Sequence, residues 1–96
     1  MNYIACIIQI LEIPKIIVYD NSLPMVTFRT QLPCIKNKLD ATIIAESNIW
    51  GSLIHDFLDY YRVNDYMLIE GYISIIRNKS SNLLTIKLNI NKFNLY

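Results

Sequence analysis

The 96-residue chain has little glycine (two), proline (three), cysteine (two), histidine (one) and tryptophan (one). Two glycines leave no Gly-rich loop to cradle a phosphate. Cys6 and Cys34 are far apart, with no second Cys or His nearby to complete a metal site. A secreted domain of this size usually carries more pairs, so the two read as small buried hydrophobes in a reducing compartment. Nine Lys/Arg stand against eight Asp/Glu. That excludes a long basic arm, and any attraction to nucleic acid must come from how the charge is distributed. No apolar run approaches the roughly 20 residues of a membrane-spanning helix. The longest, 3–11, contains Gln9 and is followed by Glu12 and Pro14. The first residues have neither the basic start nor the cleavage site of a signal peptide.

Isoleucine and asparagine are abundant, with 18 and 10 copies. Their codons are rich in A and T, which points to an AT-rich genome: a plastid, or alternatively a mitochondrion or an AT-rich bacterium. With 53% apolar and 18% charged residues and a mean hydropathy of +0.28, the chain is a folded domain and not a disordered one. The length allows one domain, 1–96. Such a domain buries only roughly 60–70% of its unfolded surface. The apolar surplus therefore suggests association of subunits, as a homodimer or homotetramer.

Turn chemistry at Ile13-Pro14, 20–22, 36–38, 63–65 and 78–82 separates segments rich in Ile, Val, Thr, Tyr and Phe. Strands are predicted over 3–11, 25–32, 41–46, 66–76 and 83–93, with a short extended piece at 16–19. Both faces of 3–11 are largely apolar, whereas 83–93 alternates one wet and one dry face. Gly71 inside 66–76 marks a bulge, a bend or a close backbone approach. The one helix is predicted over 52–61, because Leu53, Ile54, Phe57, Leu58 and Tyr61 form a stripe at three- and four-residue spacing. Ser47 or Asn48 would help close its start, and Asn64 suits a left-handed exit. One helix cannot cover so much strand surface. A five-stranded, all-β barrel with one helix plugging an end solves the problem, and this is the architecture of an OB fold. An unclosed sheet with one flanking helix is the alternative.

In that order the residues resemble the bacterial-type single-stranded DNA-binding protein family. Asn2-Tyr3-Ile4 through Ile8 to Pro14 resembles the family's first strand, and Pro24-Met25-Val26-Thr27-Phe28 its second. Trp50-Gly51-x-Leu53, then Phe57, Tyr60, Asp65, Leu68 and Glu70-Gly71, resembles the family's aromatic-Gly dipeptide, helix and Glu-Gly strand. Asn91-Lys92-Phe93 resembles the end of its last strand. The resemblance covers nearly the whole chain. It implies a non-enzymatic protein that stacks bases of single-stranded DNA on aromatic side chains and protects exposed strands in replication or repair; RNA binding by the same surface is a separate and weaker reading. Of the family's stacking positions, the one before Gly51 is kept as Trp50. Two others fall on Ile44 and near Asn78. The acidic tail through which the family recruits enzymes has no counterpart before Tyr96, so recruitment of that kind is not expected.

Strand binding needs flat aromatics for bases and positive charge for phosphates. Trp50 is either such a platform or simply the head of the helix stripe. Tyr72 alternates with Glu70 and Ser74, which favours a wet face. Tyr19 reads as a hairpin residue. Arg29 and Lys87 take the polar parity of their strands. Lys36 with Lys38, and Arg77 with Lys79, flank two hairpin tips and could form a clamp at one barrel mouth, although any single one of them reads more readily as a solvated loop cation. His55, with Asp56 beside it and Asp59 one turn on, has no nucleophile at a defined spacing and reads as a surface residue. No cofactor is implied.

Overall fold

Pro14 has no backbone N–H and cannot continue a ladder, so it divides the N-terminal extended segment in two. In the computed structural model, which describes residues 2–18, 23–32, 43–81 and 83–95, β1 spans Asn2–Ile10 and β2 spans Lys15–Ile17. There follow β3 (Met25–Leu32), β4 (Ile43–Trp50), α1 (Leu53–Tyr60), β5 (Tyr66–Arg77) and β6 (Leu84–Leu95). Neighbouring strands run β1-β5-β6-β4-β3, and β1 pairs with β3 again through Gln9↔Gln31 and Ile10↔Thr30. The ring therefore closes, which excludes the open sheet. β2 adds a short sixth strand on β3, where an extended piece was expected. The β4–β6 pairing is parallel and all others are antiparallel.

Strand alternation fills the inside. Ile8 and Ile10 of β1, Val26 and Phe28 of β3, Ala45 and Ile49 of β4, Met67 and Ile69 of β5, and Leu88 and Ile90 of β6 are all buried. The helix closes one end with Phe57. Its ring stacks on Phe28 at 4.8 Å and on Tyr61 at 5.7 Å, and meets Phe93 edge-on at 6.0 Å. Burying such a ring contributes about 1.5–3 kcal/mol. The buried hydroxyls of Thr30 and Ser47 lie 2.9 Å apart, and Thr30 also donates to the Ala45 carbonyl at 3.4 Å.

Three local features differ from expectation or sharpen it. β4 continues to Trp50, four residues beyond the predicted end, because its ladder with β3 runs on to Met25↔Trp50. Residues 41–42 lie outside the described residues. Ser47 and Asn48 therefore sit in a strand and do not cap the helix; Ser47 pairs with Thr30 and Asn48 with Asn89. Ser52 holds the N-cap position without a side-chain bond. The helix leaves in extended conformation at its C-cap, Tyr61, so the expected left-handed exit is not made there; Asn64 adopts φ 75° further on, in the turn before β5. Its N–H donates to the Ile10 carbonyl at 2.7 Å, while the Ile10 N–H donates to the Asp65 carbonyl at 3.0 Å, tying that turn to β1. At Gly71 the β5–β6 register shifts, so both a bulge and a close approach meet there.

Candidate nucleic-acid interface

With Ile, Val and Met taking the inward parity, the outward parity collects aromatics, amides and charges. Successive pairings lay one row straight across five neighbouring strands: Tyr3 (β1), Tyr72 (β5), Asn89 (β6), Asn48 (β4) and Thr27 (β3). The Tyr3 and Tyr72 rings meet edge-on with centroids 4.9 Å apart and planes at 73°. The Tyr3 hydroxyl donates to Glu70 at 3.0 Å. Desolvation, that hydrogen bond and the nearby carboxylate charge raise its pKa above the ordinary phenol value. Asn48 donates to the Asn89 side chain at 3.4 Å.

Trp50 stands two residues beyond Asn48 on the same outward parity, 42% exposed. It does not head the helix stripe. Gly51 separates it from the helix by adopting φ 65°, and its N–H donates to the Pro24 carbonyl at 3.1 Å. The left-handed turn lets the chain leave the sheet for α1 and leaves the indole on the strand face. At the standard strand spacing of ~4.8 Å, Tyr72 and Asn48 are about 10 Å apart across the sheet. Two aromatic stations therefore share one face.

A second row, Ser74, Lys87, Glu46 and Arg29, lies beside the first. Its charges alternate in sign. Arg29 also meets Glu12, with Nε 3.6 Å from the carboxylate, and its backbone N–H donates to the other oxygen of that carboxylate at 2.9 Å. Lys92 stands opposite Glu70. Each of these strand cations thus has a carboxylate neighbour, which lowers the positive potential of the face.

Arg77 ends β5, and Lys79 lies exposed at the β5–β6 tip. Lys36, Lys38 and Tyr19 lie outside the described residues, so the two-tip clamp is not visible as a unit. Ile44 points outward and is 40% exposed. Asn78 closes the hairpin tip. Its side-chain oxygen accepts from the Ser80 N–H at 2.9 Å and the Ser80 hydroxyl at 2.8 Å. That occupation is a local reason for an asparagine there.

The sequence reading missed Tyr3, Asn48 and Asn89. Tyr3 shares the parity of Gln9, which was a usable signal for the wet side of β1, but the apolar Ala5 and Ile7 between them hid it. Asn48 was assigned to a cap. Cys6 is half-buried on β1, and burial raises its thiol pKa. His55 and Asp59 are exposed on α1. Among the described residues, no three His, Cys, Asp or Glu gather to hold a metal ion.

No protein-family model matches the chain. The candidate single-stranded DNA-binding protein ycf41 of Trieres chinensis is 36% identical over 81 residues, covering 84% of this chain and 71% of that protein. The chain belongs to the ycf41-containing family of single-stranded DNA-binding proteins. Two solved structures share the fold of this family member. The SSB domain of a Synechococcus sp. protein superposes with a TM-score of 0.72 at 22% identity, covering 97% of this chain and 93% of that one. A small single-stranded DNA-binding protein from Streptomyces coelicolor gives 0.69 at 13% identity, covering 99% and 94%. The barrel is accordingly an OB fold of the SSB type.

Proposed function

We propose that the chain binds single-stranded DNA on the outer face of β1, β5, β6 and β4, as a non-enzymatic protein that protects exposed strands during organellar DNA replication and repair. The observation that carries this reading is the exposed Trp50, set on the same face as the Tyr3–Tyr72–Asn89–Asn48 row. Flat rings and amide groups suit bases, while Arg77, Lys79, Lys87 and the Lys36–Lys38 segment supply charge for the backbone. Membership of this family supports strand binding, and the AT-rich composition supports a plastid as the compartment. A homodimer or homotetramer fits the exposed Ile75, Ile76, Leu83 and Leu84 of the β5–β6 arm. Fluorescence of Trp50 titrated with oligo-dT at low and high salt tests the proposal. Quenching that weakens with salt is expected, and no response at micromolar protein would sink it.

A second reading is favoured by Ile44 and Asn78, which stand where the family carries stacking rings, and by the compensated charge of Arg29. In it the barrel is an interaction subunit of an organellar complex that has lost strand binding. Recovery of a stable protein partner from organelle extract after nuclease treatment would favour this reading. Competition between ribo- and deoxyribo-oligonucleotides ranks RNA against DNA, because contacts to the 2′-hydroxyl decide between them.

A further inference from the structure

We propose that Tyr3 and Tyr72 form a two-walled corner on β1 and β5 that takes one nucleobase of any kind, with Glu70 as the residue that positions Tyr3. The proposal deepens the strand-binding reading and rests on it for the polymer that delivers the base. Tyr3 and Tyr72 are direct cross-strand partners. Their rings stand at 73° to each other with centroids 4.9 Å apart. In an edge-on pair, the ring that gives its edge keeps its faces clear of the other. The two residues are 47% and 41% exposed, so a flat group can enter the corner from solvent. The next outward residues are short, Ala5 on β1 and Ser74 on β5. A base placed there stacks on one ring and meets the edge of the other.

Tyr3 is held at both ends. Its ring meets Tyr72, and its hydroxyl donates to Glu70 at 3.0 Å. Glu70 stands opposite Ala5, one outward position along from the Tyr3–Tyr72 pair. The Tyr3 side chain therefore leans diagonally along the strand pair, over the small Ala5. A ring fixed in this way before binding spares the cost of ordering it on the base. The same bond turns the Glu70 carboxylate towards β1. Lys92, opposite Glu70 on β6, keeps no ion pair, and neither does Lys87, opposite Ser74. Asn89, opposite Tyr72, lies between these two lysines on β6. A base in the corner thus has a cation for the sugar–phosphate backbone on each side. Ring faces and backbone charges act on every base alike, so the corner tolerates any sequence.

NMR of the wild-type chain carrying isotope-labelled tyrosine reads the corner directly. Titration with oligo-dT, oligo-dC and oligo-dA should move the Tyr3 and Tyr72 ring signals upfield with each oligomer. Tyr72→Leu keeps apolar bulk on the strand and removes the ring. Its affinity by anisotropy should fall roughly 5- to 150-fold, the loss of one stacked base, and should fall for all the oligomers alike. Tyr3→Phe keeps the ring and loses only its tie to Glu70, so the loss should be roughly 2- to 10-fold. Glu70→Gln still offers an oxygen to the Tyr3 hydroxyl and should bind no more weakly than the wild type. If the oligomers bind and quench Trp50, but neither ring signal moves and Tyr72→Leu binds like the wild type, the corner is overturned and strand binding stands. Ring shifts with one oligomer and not the others overturn the tolerant corner. If no oligomer binds, the corner and strand binding fall together.

Discussion

Gly71 on β5 lies against the backbone of Asn89 on β6 so closely that a Cβ at Gly71 would overlap the Asn89 carbonyl oxygen and stand 2.9 Å from its carbon. Both atoms belong to backbone, so neither can swing aside. Tyr72, the next residue, pairs with Asn89 in register, and the close approach therefore sets the row of the outer face. Gly71→Ala must push the strands apart. Overpacking of this kind costs roughly 1–3 kcal/mol, which in a domain of this size lowers Tm by about 5–20 °C. Thermal unfolding followed by circular dichroism checks it, and an unchanged Tm would contradict the contact.

Trp50 is tested by its effect on binding beyond its effect on folding. Its side chain is 42% exposed and otherwise packed, so Trp50→Ala should lower folding stability by about 1–2 kcal/mol and leave the chain folded. The same change removes a stacking platform worth ~1–3 kcal/mol per base, and oligo-dT affinity measured by anisotropy should fall roughly 5- to 150-fold. Trp50→Phe keeps a smaller ring and should lose less. Equal affinities for all three chains would remove Trp50 from the interface.

The core was legible because its signal is periodic. Phe57 and Tyr61 recur at helical spacing, and Leu88 and Ile90 alternate with Asn89 and Asn91, so burial followed directly from the sequence. Closure of the ring was legible only as a need for cover. The pairs that perform it, Gln9↔Gln31 and Ile10↔Thr30, join residues about 20 apart through a turn that local pattern does not determine. Ser47 and Asn48 looked like cap residues because their side chains compete for nearby backbone groups. Cross-strand partners, Thr30 and Asn89, decided otherwise. The Glu12–Arg29 contact was equally hidden, because it links the loop before β2 to the middle of β3.

Tyr3 gives the interface a pH response. Its folded pKa is raised above 10.0 by desolvation first, then by the hydrogen bond and charge of Glu70 and by Tyr72. A raised pKa means the folded state holds its proton more tightly than the unfolded state does. The stabilisation is therefore fully present below the unfolded value near pH 10 and is lost as pH rises through the folded value. Urea midpoints of the wild type and Tyr3→Phe, compared from pH 8.5 to 11, should differ by a constant amount at first. The wild type should then lose its share above about pH 10. A difference that stays flat to pH 11 would contradict the contact.

Glu12 restrains the charge of Arg29, and removing that restraint should strengthen strand binding. The pair is exposed, with Nε 3.6 Å from the carboxylate and side-chain exposures of 62% and 38%. An ion pair of this kind stabilises the fold by only about 0–1 kcal/mol. Glu12→Gln keeps an oxygen for the Arg29 backbone N–H, now bonded at 2.9 Å, and removes only the charge. Tm should therefore change little. If Arg29 then reaches a phosphate, the log–log salt dependence should steepen by about 0.7, the increment for one contact on a single strand. Affinity at low salt should rise with it. Glu12→Gln combined with Arg29→Gln should return the slope to the wild-type value. An unchanged slope in the single variant would show that Arg29 lies off the path of the strand and that the backbone charges must be sought at the β5–β6 tip.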